Sequence, residues 1–156
     1  MPTQSSQPQT TPAPSNPALL LDNQLCFALY SASLAMTKLY KPLLDALDLT
    51  YPQYLVMLVL WEQDKLGVTA LGERLSLDSG TLTPLLKRME QAGLLVRQRS
   101  AEDERRVQVS LTSRGVQLKT RAATVPACVV AQTGRPIPEL MALTRQLQGL
   151  RTRLAP

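Results

Sequence analysis

The chain has 156 residues, of which 44% are hydrophobic, and its 17 basic and 12 acidic side chains give a net charge of +5. This length and apolar content suit a single folded domain with a core of its own rather than a disordered polyelectrolyte. Histidine is absent, which excludes Ser-His-Asp and Cys-His catalysis as well as zinc or iron sites built on imidazole. The composition therefore disfavours hydrolytic chemistry, and we expect a protein that is not an enzyme and holds no metal or cofactor.

The two cysteines, Cys26 and Cys128, are the main reactive side chains. Their wide separation leaves no CxxC redox pair and no four-cysteine metal site within the chain, and one bridge would poorly serve a secreted disulfide framework. The first 21 residues contain no Lys or Arg, and the apolar run at 18–21 is too short for the hydrophobic part of a signal peptide. No uncharged stretch is long enough to span a membrane, so we expect a cytoplasmic protein without a membrane partner.

Charge and proline are unevenly distributed along the chain. Five of the 12 prolines fall within residues 1–17, among Gln, Ser and Thr and without a charged residue, which predicts a disordered tail followed by one domain at 18–156. Residues 1–70 carry a net charge of −2 and residues 71–156 carry +7. A polyanionic partner would bind the second half, although a solvated basic face is the alternative explanation of the charge alone.

The first two predicted elements are helices. Apolar residues recur at three- and four-residue steps from Asp22 to about Tyr40, as one face of a helix requires, with Asp22 as its N-cap and Pro42 as the residue that breaks or bends it. Thr50 caps a second helix that runs to about Trp61. This helix is apolar around most of its circumference, which places it at the centre of the core.

Two short helices follow in close succession, at 69–75 and at 79–92. Asp78 is the N-cap of the second one. Pro84 has no N–H to donate to the preceding turn, so we expect the first turn to be irregular or the regular helix to begin near Thr83.

Gly93 ends this helix. After it, apolar residues recur at every second position, as in a β-strand. Strands at 95–99 and 107–111 flank a polar loop whose last five residues are all charged, the pattern of a hairpin with a charged tip. A helix then runs from its cap, Thr112, towards Thr124 and ends before Pro126.

After Pro136 and Pro138 a final helix carries leucines at alternating steps of three and four. They are Leu140, Leu143, Leu147, Leu150 and Leu154. Such a seam packs against a second helix. Packing within the same chain is one alternative, but a leucine seam at the end of a small protein favours dimerisation.

This order of elements predicts a mainly α fold with a small β-hairpin wing, the winged helix-turn-helix arrangement. In this arrangement the second helix enters the major groove and the wing reaches the adjacent minor groove. That helix exposes short hydroxyl residues in its first turns and basic residues one turn later. These candidate DNA contacts are Ser79, Thr81, Thr83, Lys87 and Arg88.

The wing supplies a second set of candidate DNA contacts. Arg105 or Arg106 at its tip can enter a narrow, electronegative minor groove, and Asp103 can orient the Arg105 guanidinium. Arg97 and Arg99 on the approaching strand would contact phosphates. Three features occur together: the apolar spacing changes from helical to strand-like after Gly93, residues 71–156 are basic, and the helix at 79–92 begins with polar side chains. Together they predict a protein that binds double-stranded DNA.

Residues 68–115 resemble the MarR family of dimeric winged-helix repressors. The likeness is carried by DSGTLTPLLKRME and by DERR followed by LTSRG. Within these pieces Asp103, Arg105, Leu111, Thr112 and Gly115 match the wing signature of the family. The resemblance implies a homodimer whose DNA-binding lobes are formed by residues 50–112 and whose dimerisation helices lie at 18–49 and 113–156. It also implies that this dimer binds an inverted-repeat operator.

Residues 21–44 are similar to the branch of this family that senses organic hydroperoxides. Taken alone, a cysteine on an apolar helical face is more often a small buried hydrophobe, although Cys26 lies near a helix N-terminus, which favours thiolate. The resemblance implies that Cys26 is the peroxide-reactive residue. It also implies that Tyr40 and Tyr51 hydrogen-bond its sulfur across the dimer interface.

Cys128 places the chain with the two-cysteine type of this branch. The resemblance implies that Cys26 is oxidised to a sulfenic acid and condenses with Cys128, that of the partner subunit, in a disulfide that releases DNA. A spectator role for Cys128 remains the alternative.

The identity of the inducer and the class of protein leave further alternatives open. We expect Leu25, Phe27, Leu29 and Met57 to line an apolar pocket around Cys26, which would favour lipid-like or aryl hydroperoxides. A repressor of the same family induced by a small aromatic ligand is the second interpretation. A two-cysteine thiol peroxidase is the third, and it is disfavoured because residues 19–25, LLLDNQL, lack the Thr or Ser that such enzymes place shortly before the cysteine.

Overall fold

The computed structural model describes residues 16–101, 103 and 105–155, so the tail predicted at 1–17 lies outside the described residues except for its last two. Within the described part, two short 3₁₀ turns at Pro17–Leu19 and Leu21–Asn23 precede helices and strands in the following order. They are α1 (Leu25–Asp45), α2 (Tyr51–Glu62), β1 (Leu66–Gly67), α3 (Val68–Leu75), α4 (Ser79–Gln91), β2 (Leu95–Arg99), β3 (Val107–Leu111), α5 (Ser113–Ala122), α6 (Val125–Thr133) and α7 (Ile137–Leu154). The mainly α fold with a small wing is confirmed.

The wing belongs to a three-stranded antiparallel sheet with the strand order β1-β3-β2. The predicted hairpin is confirmed at both strands, and Arg99 pairs with Val107 at its outer end. Strand β1 is not predictable from the sequence, because a strand of two residues is too short to show an alternation of apolar and polar side chains. Leu66 pairs with Val109, and Asp64 Oδ1 accepts a hydrogen bond from the Leu111 N–H at 2.9 Å.

Helix α1 begins and ends later than predicted. Asp22 is not its N-cap but lies inside the second 3₁₀ turn, where the Gln24 N–H donates to the Leu21 carbonyl at 3.0 Å and delays the start of α1 to Leu25. Pro42 lies inside the helix. A proline removes one helical hydrogen bond, but burial of Leu44 in the last turn, at 2% exposure, retains the helix beyond it.

Helix α4 is regular from its first residue, so the irregular first turn expected from Pro84 is wrong. Asp78 caps the helix as predicted, with its Oδ1 accepting from the Thr81 N–H at 2.9 Å. Pro84 removes only one bond, and the buried face of Leu82, Leu85, Leu86 and Met89 holds the helix against the core. Gly93 has a φ of 72° and ends the helix, also as predicted.

The last quarter of the chain contains a helix that the sequence did not predict. Helix α5 is capped by Thr112 as predicted, but it stops at Ala122 and α6 starts at Val125. Pro126, expected to follow a helix end, instead occupies the first turn of α6, where a proline has no N–H to lose. Pro138 likewise sits in the first turn of α7, which begins before it.

The chain divides into two compact units, with the boundary between Lys38 and Leu39 of α1. The unit from Leu39 onward contains the hydrophobic core, and Val56 and Met57 of α2 are fully buried in it. The core also includes side chains on both sides of the predicted 50–112 lobe. They are Leu44, Leu47 and Leu49 before it, and Leu118, Ala122, Val125 and Val129 after it.

Basic side chains of α5 connect that helix to three other parts of the same unit. Each of them donates a hydrogen bond to a backbone carbonyl near the end of another helix. The pairs are Arg114 Nη1 with Ala92 at 2.9 Å, Lys119 Nζ with Trp61 at 3.1 Å, and Arg121 with Ala46.

Apolar side chains remain exposed on two helices. On the first half of α1 they are Leu25, Phe27, Tyr30, Leu34 and Met36, and on α7 they are Ile137, Met141, Leu143, Leu147 and Leu154. Helix α7 has no buried residue. Among the helices of the described residues, none combines the length and the apolar character needed to cross a membrane.

Substitution of Thr50 tests the capping box at the start of α2. The Gln53 N–H donates to Thr50 Oγ1 at 3.4 Å, and the Thr50 N–H donates to Gln53 Oε1 at 2.8 Å. Thr50→Ala should lower the free energy of unfolding by about 1 kcal/mol, while Thr50→Ser should nearly preserve it. Urea denaturation followed by circular dichroism measures both, and equal stability of the two variants would contradict a capping role.

Candidate nucleic-acid interface and cysteine sites

The exposed face of α4 carries the five residues predicted to meet DNA. Ser79, Thr81, Thr83, Lys87 and Arg88 are all exposed, opposite the buried leucine face of the helix. The Thr81 hydroxyl donates to Asp78 Oδ2 at 3.0 Å. Hydrogen bonds from the Thr81 N–H and hydroxyl lower the pKa of the Asp78 carboxyl. Thr81 therefore supports the helix start, whereas Ser79 and Thr83 are exposed on the same helix.

The wing tip is organised by Asp103. Its Oδ1 accepts from the Arg105 N–H at 3.0 Å and from Arg105 Nε at 3.3 Å, so the predicted pair is present. Arg106 Nε also lies 3.5 Å from Asp103 Oδ2, and the Arg106 N–H donates to the Asp103 carbonyl at 2.9 Å. The side chains of Arg105 and Arg106 are 91% and 81% exposed. One carboxylate thus orients two guanidinium groups that remain open to solvent.

The two arginines predicted on the approaching strand differ in their surroundings. Arg99 is exposed. Arg97 is half-buried, and its Nη2 lies 2.8 Å from Glu90 Oε2. Hydrogen bonds from the Arg97 N–H and then from its guanidinium lower the pKa of the Glu90 carboxyl. Arg97 is therefore paired within the protein, whereas the side chain of Arg99 faces solvent.

A cleft of about 600 Å³ lies between α3, α4 and the wing. Thr83 reaches it from α4, Arg97 lines its wing side, and the tip contributes Arg105 and Arg106. Glu73 of α3 is the acidic residue in its lining. The fold thus brings the Thr83 hydroxyl and three guanidinium groups from separated parts of the sequence to one basic cleft.

Other residues at this site were not found by sequence reasoning. Glu90 was overlooked, although its charge is opposite to that of Arg97 across the tight turn at Gly93. Trp61 Nε1 donates to the Gly115 carbonyl at 2.9 Å and joins α2 to α5. No sequence pattern indicates that contact, because 54 positions separate its partners.

The cysteines occupy different units. Cys26, the second residue of α1, is exposed, while Cys128 is half-buried in α6. Met57 does not line an open pocket as expected, because it is fully buried in the core. Among the described residues, no group of three or more His, Cys, Asp or Glu is arranged to hold a metal ion.

Tyr40 and Tyr51 lie side by side with ring centroids 4.9 Å apart, and Tyr54 follows at 6.0 Å from Tyr40. Burial raises the pKa of both Tyr40 and Tyr51, and for Tyr40 the neighbouring tyrosines add to the rise. The two hydroxyls therefore stay protonated at neutral pH and can donate hydrogen bonds. Tyr54 continues the row to Trp61, with centroids 6.4 Å apart.

Known proteins match this chain over most of its length. A family described as transcriptional regulator SarA/Rot matches residues 38–122. The organic hydroperoxide resistance transcriptional regulator of Bacillus subtilis (strain 168) is 56% identical over 123 residues, which cover 77% of this chain and 84% of that protein. AbfR of Staphylococcus epidermidis has a TM-score of 0.72 at 34% identity, covering 86% of this chain and 92% of that one.

Further structures of AbfR are also similar to this chain, and two of them differ in redox state. The reduced form bound to DNA gives a TM-score of 0.72 at 35% identity and covers 86% of this chain and 94% of that one. The disulfide-formed state gives a TM-score of 0.60 at 34% identity, and the match covers 86% of this chain and 89% of that one.

A helix-turn-helix, a wing that belongs to a three-stranded sheet, and a basic cleft between them define a winged helix-turn-helix transcriptional regulator, and the curated relatives are named as transcriptional regulators. The chain belongs to the MarR family of these regulators, in the branch that contains the organic hydroperoxide resistance regulator of Bacillus subtilis.

Proposed function

We propose that this protein is a repressor that binds an inverted-repeat operator in double-stranded DNA. The observation that carries the proposal is the shared cleft, into which α4 presents Thr83 and the wing presents Arg105 and Arg106. Exposed hydroxyl and basic residues of α4 would contact base edges and phosphates in the major groove. The two arginines of the tip would enter the neighbouring minor groove, where the potential is most negative.

The protein acts as a homodimer in this proposal, because an inverted repeat is matched by two-fold symmetry. The exposed apolar side chains of α1 and α7 support it. Apolar faces of this extent on two terminal helices are typical of a surface that a second subunit covers. Residues 18–49 and 113–156 would supply that interface, and residues 50–112 would supply the DNA-binding lobe.

The signal is an organic hydroperoxide in this proposal, and Cys26 is the residue that reacts with it. The Cys26 thiolate attacks the peroxide oxygen, the O–O bond breaks, and a sulfenic acid and an alcohol are formed. Exposure of Cys26 supports this step. The protonated hydroxyls of Tyr40 and Tyr51 would stabilise the thiolate as donors, which suits a chain without histidine.

Cys128 would complete the reaction. Its thiol attacks the sulfenic sulfur, water leaves, and a Cys26–Cys128 disulfide forms, with Cys128 of the partner subunit as the second sulfur. The sulfurs must approach to about 2 Å, so the helices that carry them must move and the spacing of the two lobes changes. Structures of AbfR in a reduced form bound to DNA and in a form with its disulfide made support a mechanism of this kind.

The salt dependence of DNA affinity tests the DNA-binding proposal. A labelled duplex recovered from a random-sequence pool by the wild-type protein serves as the probe, and fluorescence anisotropy measures Kd at several salt concentrations. Contacts to six to ten phosphates would give a slope of log affinity against log salt of roughly −5 to −9. Arg88→Gln should reduce the magnitude of the slope by about 1.

Arg145→Gln is the matched control, because Arg145 is an exposed arginine of α7 that lies outside the proposed DNA contacts and off the leucine seam of that helix. It should leave the slope unchanged. A flat salt response of the wild type, or failure to recover any duplex, would contradict DNA binding through the basic half.

A small aromatic inducer is the second candidate signal. A pocket of about 480 Å³ lies between α2, α5 and α6, and its walls include Tyr54, Leu58, Trp61 and Pro126. Aromatic and aliphatic walls of this kind suit an apolar ligand. Under this alternative, the ligand releases DNA without any change at Cys26.

A further inference from the structure

Glu90 and Arg97 connect the last turn of α4 to the base of the wing. Three hydrogen bonds join them, in which Glu90 accepts from the Arg97 backbone N–H at 2.8 Å, from Nε at 3.1 Å and from Nη2 at 2.8 Å. The side chains of Glu90 and Arg97 are only 33% and 25% exposed, respectively. This fork geometry fixes both the backbone and the guanidinium of one wing residue relative to α4.

Arg97 occupies a special position along β2. Leu95 is buried in the core, whereas Gln98 and Arg99 are exposed, so Arg97 is the outermost residue of β2 with a partly buried side chain. On the other side of the sheet, Gln108 Nε2 donates to the Lys65 carbonyl at 3.1 Å. The pair with Glu90 is thus the attachment of the wing on the side that faces α4.

We propose that Glu90 and Arg97 form a clamp that sets the position of the wing against α4, and that Arg97 is a positioning residue rather than a phosphate contact. This inference rests on the proposed DNA binding. Arg97 lines the same cleft as Thr83, Arg105 and Arg106. Its role is to keep the arginines of the tip at a fixed distance from α4, so that both can engage the duplex together.

The sign of one mutational effect separates this proposal from simple electrostatics. Removal of an acidic charge near DNA should tighten binding, because phosphate repulsion falls. Glu90→Gln removes such a charge and also frees the positive charge of Arg97. The clamp predicts the opposite result, a binding affinity reduced about tenfold, because the charge-assisted hydrogen bonds that hold the wing are weakened.

The experiment measures Kd by fluorescence anisotropy at several salt concentrations, with the duplex that the wild type recovers from a random-sequence pool. Glu73→Gln is the matched control, because Glu73 lines the same cleft and lies on α3. It should tighten binding. Arg97→Gln should weaken binding without changing the salt slope, whereas Arg99→Gln should reduce the slope by about 1. The double variant Glu90→Gln/Arg97→Gln should bind no more weakly than either single variant.

Arg97→Lys is a more conservative variant, in which a folding defect is less of a concern. Lysine keeps the positive charge but cannot form the two guanidinium hydrogen bonds to Glu90. It should weaken binding at an unchanged slope, with a circular dichroism spectrum like that of the wild type. Tighter binding by Glu90→Gln, as with Glu73→Gln, would overturn the clamp while leaving DNA binding intact. If Arg97→Gln reduces the slope of log affinity against log salt by about 1, Arg97 contacts a phosphate and is not a positioning residue. If the wild type recovers no duplex, the proposed function fails and the role of the clamp fails with it.

Discussion

Replacement of Gly115 by alanine should lower the free energy of unfolding by about 3 kcal/mol or more. A Cβ at this position would lie 2.1 Å from the Leu94 carbonyl oxygen and 3.1 Å from Leu111 Cδ2. The nearest obstacle is backbone, which cannot move aside by changing a rotamer. The same residue accepts the Trp61 hydrogen bond and donates to Thr112 Oγ1 at 3.1 Å. Its displacement would therefore disturb three contacts at once.

Gly149→Ala is the matched control for this experiment. Gly149 lies inside α7, and a Cβ there would meet no atom within 4 Å. Alanine is the better helix former, so this variant should gain up to about 1 kcal/mol. Urea denaturation of both variants gives the comparison, and a Gly115→Ala variant as stable as the wild type would refute the close packing of α5 on Leu94.

Cys26→Ser should abolish the response of the protein to organic hydroperoxide. One equivalent of cumene hydroperoxide should reduce the DNA affinity of the wild type by about 100-fold, which lies within the usual range of coupling between two sites. A serine hydroxyl does not react with the peroxide, so the variant should remain bound. Gel shift with and without the oxidant, on a duplex that the reduced wild type binds, measures the difference.

Cys128→Ser separates the two halves of the redox proposal. Non-reducing electrophoresis of oxidised wild type should give a disulfide-linked dimer, and neither cysteine variant should form it. Cys128→Ser should still consume peroxide and stop at the sulfenic acid, which a dimedone label detects. Release of DNA by oxidised Cys26→Ser would exclude Cys26 as the sensor, while identical behaviour of Cys128→Ser and the wild type would make Cys128 a spectator.

Much of the DNA-binding lobe could be predicted because its signals are local. Thr50, Asp78 and Thr112 each cap the helix that was assigned to them, since a cap depends on a few adjacent residues. The alternation at 95–99 and 107–111 gave both long strands of the wing correctly. The pairing of Asp103 with Arg105 was likewise predictable from two residues at short range.

The errors arose where tertiary packing decides the outcome. Pro42 and Pro84 are unfavourable inside helices, yet both helices continue because their apolar faces are buried. Pro126 was interpreted as a stop although the same residue suits a first turn. The pairing of Arg97 with Glu90 was missed because an arginine on a basic surface was assigned to phosphate without a search for a carboxylate across the turn.

Trp61 is the single tryptophan of the chain, and its half-buried ring stands where α2 meets α5, with its indole N–H on the Gly115 carbonyl. Indole emission is sensitive to the polarity around the ring and to the hydrogen bond of its N–H. The protein therefore carries an intrinsic optical reporter of this helix junction. Movement of α5 relative to α2 would change the emission of unlabelled protein, in a spectrum free of any other indole.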